Sequence, residues 1–72
     1  MGAKHTTVIP KAAVGRILFK AGAKRVSQSA VDEFATVLMN MAEQIATQSA
    51  KIAQHAGRKT IHEGDIRIAA KQ

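Results

Sequence analysis

The chain has 72 residues, no cysteine and a formal charge of +6, with eleven Lys and Arg against five Asp and Glu. A domain of that size buries only about 60% of the surface its unfolded chain exposes and is marginal alone. The lack of cysteine excludes a disulfide framework and a thiolate metal site, which leaves oligomerisation as the usual reinforcement.

His5, His55 and His62 have no paired zinc spacing and read as ordinary loop or interface histidines, so no metal and no cofactor is assigned. No apolar run approaches a membrane span or a signal-peptide core, and the chain reads as intracellular and soluble. Positive charge is concentrated at the two ends. Residues 1–27 hold Lys4, Lys11, Arg16, Lys20, Lys24 and Arg25 with no acid, whereas residues 28–50 hold only Asp32, Glu33 and Glu43; cations return at Lys51, Arg58, Lys59, Arg67 and Lys71. The flanks therefore call for a polyanion, with nucleic acid first and an anionic membrane surface second.

Residues 1–8 read as a short disordered extension ahead of one domain over 9–72. Pro10 suits the first turn of a helix, Val14, Ile17, Leu18 and Ala21 keep the spacing of one apolar face, and Gly22 can end it, which predicts a helix over about 10–21. Arg16 and Lys20 fall four apart on another face, where they either meet an anion or simply face solvent. Ser27 or Ser29 can cap a second helix with Asp32 and Glu33 in its first turn.

In that second helix Val31, Leu38, Ile45 and Ile52 recur every seven residues, with Phe34 and Met41 interleaved and many alanines widening the apolar surface. From about Gln28 to Ala56 it measures roughly 42 Å, against roughly 29 Å for the breadth of a compact globule of this length. One chain cannot enclose it, so a second copy is expected along Val31, Phe34, Leu38, Met41 and Ile45. The bland alternative is a break near Asn40 or Thr47 giving a four-helix monomer, against which no Gly or Pro lies in the stretch. A last helix over about 63–71 shows Ile66, Ala69 and Ala70 on one face, with Gly64 weakening its first turn. The joints between helices resemble each other: "AGAKRVS" and "AGRKTIH" each give Ala-Gly, a basic pair and a β-branched segment that suits a short extended piece at Val26, Thr60 and Ile61.

Gly15-Arg16-Ile17, the run from Ala21 to Ser27, and the run from His55 to Ile61 followed by Asp65-Ile66 make the chain similar to the small, nearly tail-less archaeal-type histones, over nearly its whole length. The resemblance implies an all-α histone fold, short helix, long central helix and short helix, forming a handshake homodimer. In it the first joint of one protomer lies beside the second joint of its partner. Residue by residue it implies Arg25 in the minor groove with Thr60 beside it, phosphates on Arg16 and Lys59, and Arg58 paired with Asp65 to fix the loop. Lys11, Lys20, Lys24 and Arg58 complete the DNA-binding set, and Lys20 and Lys24 stand where relatives often carry acids. Ile52, His55 and Asp65 match positions through which family dimers stack, so tetramers or longer arrays on DNA are expected.

The implied function is an architectural protein that wraps, bends and compacts double-stranded DNA with little sequence specificity, associated with the chromosome in the cytoplasm. Engagement of about eight phosphates per dimer predicts a slope of log K on log salt near -7. The alternative is a histone-fold dimerisation module of a heteromeric transcription or replication complex. An enzyme fits poorly, because Ser27, Ser29 and Ser49 have no spacing to His and Asp that identifies a nucleophile with its base.

Overall fold

The computed structural model describes residues 9–71, and the expected extension over 1–8 lies outside them. Three helices follow in order, α1 (Lys11–Lys20), α2 (Gln28–His55) and α3 (Glu63–Ala70), with no strand among the described residues. The chain divides into two compact units, one ending at Met39 and the other beginning at Asn40, so that α1 belongs with the first part of α2 and α3 with the second part.

In the first unit Pro10 stands immediately before α1 with extended backbone, φ -62° and ψ 132°. Its ring has no N–H to leave unpaired at a helix start. Burial falls on Val14 and Ala35, both fully inaccessible. Leu18, one turn beyond Val14, is half-buried, while Ile17 and Ala21, expected on the same face, are exposed. The covered stripe of a ten-residue helix is thus narrower than the apolar pattern suggests. At the start of α2 the choice between two serines is resolved: Ser27 Oγ accepts from the Ala30 N–H at 3.1 Å. Starting the helix at Gln28 puts Asp32 and Glu33 beyond its first turn, contrary to expectation, so they do not meet the unpaired N–H groups of the helix start.

α2 runs without interruption through Asn40 and Thr47, and the four-helix alternative is discarded. Each unit buries small residues of this helix: Ala35 in the first, Ser49 and Ala53 in the second. Small side chains let a neighbouring helix come close. The larger row, Val31, Phe34, Leu38, Ile45 and Ile52, stays only half-buried, and Met41 is half-exposed.

In the second unit Asp65 and Ala69, one turn apart on α3, are the buried side of that helix. Ile66 and Ala70 are exposed, so the covered face is rotated from the expected one toward Asp65, whose carbonyl lies 3.5 Å from Ser49 Oγ. Ser49 donates its hydroxyl to the Ile45 carbonyl at 2.7 Å, which satisfies a polar group with no access to water.

The two joints have the same backbone opening. Gly22 takes φ +116° and Gly57 φ +74°, where a side chain would be strained. After α1 the Gly22 N–H bonds the Phe19 carbonyl and the Ala23 N–H the Leu18 carbonyl; after α2 the Gly57 N–H bonds the Gln54 carbonyl and the Arg58 N–H that of Ala53. Both are Schellman ends, which satisfy the last carbonyls and turn the chain sharply away. The extended segments expected at Val26, Thr60 and Ile61 do not form strands. A strand needs a hydrogen-bonding neighbour, and neither unit supplies a second extended segment among the described residues.

Candidate nucleic-acid interface

The Schellman turn of the first unit leads directly to Lys24 and Arg25, both exposed. Neither makes an ion pair among the described residues, and the same holds for Arg16 and Lys20 on α1, both of them exposed. Arg16 and Lys20 flank a shallow groove of about 410 Å³ lined also by Ala13, Ile17 and Phe19. No acid occurs within α1 itself. Lys11 is the exception among these cations: its Nζ lies 2.8 Å from Asp32 Oδ1, and that contact, with a smaller one from Gln28, holds the Asp32 carboxyl below the usual carboxylate range.

In the second unit the joint is built around Arg58. Its Nη1 donates to the Thr60 carbonyl at 2.9 Å and to Asp65 Oδ2 at 2.9 Å, while Nη2 donates to Asp65 Oδ1 at 3.1 Å. This two-point fork ties the loop to α3 with the planar geometry that an arginine, unlike a lysine, provides. The His62 N–H also donates to Asp65 Oδ2 at 2.9 Å, a side-chain cap on the start of α3. Arg58 first, and the His62 N–H second, pull the Asp65 carboxyl down to about 2, and Asp65 in turn raises Arg58. Arg58 is therefore half-buried and committed to the loop, while Lys59 and Thr60 remain exposed. The fork leaves Lys59 with no acid of its own among the described residues, so its charge is open to solvent.

Of the residues expected at a contact between dimers, Ile52 is half-buried, His55 is exposed, and Asp65 is only 4% exposed with both oxygens engaged. Arg67 is paired with Glu63 at 2.8 Å and so is electrically balanced on α3. Sequence reading misses two contributors. Asp32 reads as a helix-start acid, and nothing in its spacing links it to Lys11 far back in the chain. Ser49 has a weak signal, being one turn before Ala53 and one after Ile45 on α2.

No group of three or more His, Cys, Asp or Glu among the described residues could hold a metal ion, and no described helix is long and apolar enough to cross a membrane. What the arrangement offers is cationic: Arg16 and Lys20 on α1, Lys24 and Arg25 after the first turn and Lys59 after the second, all exposed and without an ion pair among the described residues. Such groups suit a repeating anion.

Comparison with known proteins gives a consistent picture. Residues 7–70 match the family described as histone-like transcription factor (CBF/NF-Y) and archaeal histone. The chain is 40% identical over 63 residues to one of the subunits of the archaeal histone HAN1 of Thermococcus zilligii, covering 88% of this chain and 94% of that protein. It is 44% identical over 63 residues to a probable archaeal histone 3 of Methanocaldococcus jannaschii, with the same coverage of 88% and 94%. A histone H4 of Entamoeba histolytica is 33% identical over 64 residues, which are 89% of this chain and 54% of that one.

Proposed function

Because the chain belongs to the family of histone-like transcription factors (CBF/NF-Y) and archaeal histones, we propose that it is an architectural, chromosome-associated DNA-binding protein rather than an enzyme. It acts as a homodimer that bends and compacts duplex DNA with little regard to sequence. The observation that carries this reading is the pair of matching joints, each a Schellman turn followed by exposed cations that make no ion pair among the described residues, Lys24 and Arg25 after the first and Lys59 after the second.

Dimerisation is supported by the half-covered row Val31, Phe34, Leu38 and Ile45 and by the half-exposed Met41, which the chain's own short helices leave open. Burying such a row against its counterpart removes large apolar side chains from water. A handshake of two long helices then places Lys24 and Arg25 of one copy beside Lys59 and Thr60 of the other. Arg25 enters the minor groove, and Arg16, Lys20, Lys24 and Lys59 hold phosphates. Arg58 acts from behind by shaping the loop through Asp65. Contacts of this kind respond to groove shape and deformability more than to base identity, which is also how the eukaryotic histone octamer holds its DNA. Longer stacks through Ile52 and His55 extend the same scheme.

The test is affinity for two duplexes of equal length and unrelated sequence at one salt concentration. Near-equal affinity is expected; a strong preference for one duplex refutes the architectural reading.

A second reading has a specific observation behind it, since one relative bears the name of a histone subunit. In that case the apolar row of α2 meets a different histone-fold chain. Co-expression and sedimentation separate the two: a stable, helical homodimer from this chain alone supports the first, and an aggregating isolated chain supports the second.

A further inference from the structure

Lys11 differs from the other cations of α1. Its ammonium is held 2.8 Å from an Asp32 oxygen, to which Gln28 Nε2 also donates at 3.4 Å. Arg16 and Lys20 on the same helix have no such acid among the described residues. The pair is not a by-product of helix spacing, because α1 has no acid and the carboxylate arrives from the second turn of α2. A separation of 2.8 Å is also what an ammonium adopts on a phosphate oxygen, so the carboxylate engages this ammonium as a phosphate would.

We propose that Asp32 sets how many phosphates the protein engages, by keeping Lys11 on an internal carboxylate and out of the DNA contact. The proposal rests on the DNA-binding reading above. Both groups are about half exposed, so the pair is weak in absolute terms. Its competitor is weak as well: a single lysine on a phosphate at moderate salt is screened. The internal carboxylate, by contrast, is tethered and needs no encounter. Asp32 therefore acts as a positioning residue that lowers both affinity and salt response, leaving Arg16, Lys20, Lys24, Arg25 and Lys59 as the working cations.

The experiment compares salt dependence of duplex binding for the full chain, Asp32→Asn, Lys11→Gln and the double variant. Releasing one cation per chain adds two phosphate contacts per dimer, so Asp32→Asn steepens the slope by about 1.8 and tightens binding several-fold at low salt. Lys11→Gln alone leaves the slope unchanged, and adding it to Asp32→Asn returns the slope to that of the unaltered chain. Asp32→Ser repeats the test should Asp32→Asn lose helicity.

An unmoved slope in Asp32→Asn overturns the proposal while the DNA-binding reading stands. A steepening that survives addition of Lys11→Gln also overturns it, because the effect then belongs to the lost negative charge and not to Lys11. Absence of salt-dependent binding in the unaltered chain overturns both readings together.

Discussion

Replacing Arg25 with Gln tests the proposed interface at its centre. Arg25 is exposed just beyond the first Schellman turn and has no acid paired with it among the described residues, so the substitution removes charge without opening a core. Of the cations assigned to DNA, Lys11 and Arg58 are held internally, which leaves Arg16, Lys20, Lys24, Arg25 and Lys59, five per chain. If each of the ten in a dimer displaces one counterion, four per chain on phosphates and Arg25 in the minor groove, log K falls with log salt at a slope near -9, and Arg25→Gln, which removes two, brings it to about -7. Between about 50 and 200 mM salt the affinity then drops ~250,000-fold for the unaltered chain and ~20,000-fold for the variant. Fluorescence anisotropy of a labelled duplex across that range measures both slopes. Arg67→Gln is the control, because Arg67 is already paired with Glu63 and should leave the slope alone. Equal slopes for the unaltered chain and Arg25→Gln refute the assignment, as does an Arg67→Gln effect of the same size.

Ser27→Ala should lower stability by about 1 kcal/mol through loss of the helix cap, with Ser29→Ala nearly neutral, as read by urea unfolding. Reversal of that order removes Ser27 from the cap. Asp65 carries a pH signature: its folded value of about 2 lies below the ordinary 3.8, so its contribution is present above about pH 4 and is lost as pH falls through about 2. Thermal melts over that window should fall more steeply for the unaltered chain than for Asp65→Asn, and parallel curves would contradict the fork. Leu38→Glu places a charge on the half-covered row of α2, so sedimentation should show loss of the dimer and melting should lose its dependence on protein concentration. An unaltered chain whose melting is independent of concentration argues against dimerisation.

Much of the fold is legible because its determinants are local. Seven-residue recurrence from Val31 to Ile52, Pro10 at the start of α1, and Ala-Gly at the end of both α1 and α2 give helix limits within about a residue of those observed. The family likeness is carried by the repeated joints, and their common backbone turn explains why two stretches of different sequence look alike. The β-branched residues of those joints favour extended backbone, which becomes a strand only when a second segment pairs with it.

Helix limits and the accumulation of charge can be read along the chain, because helix periodicity, glycine stops and caps act between residues a few positions apart. Which faces are covered was decided only by packing. Small residues, Ala35, Ser49 and Ala53, are buried while the large apolar row stays open, and no periodicity distinguishes two apolar stripes until another helix lies on one of them. Packing also decided which cations remain available. Lys11 is captured by Asp32 across two helices and Arg58 by Asp65 across a loop, because an ion pair depends on where folding brings side chains together rather than on their distance along the chain.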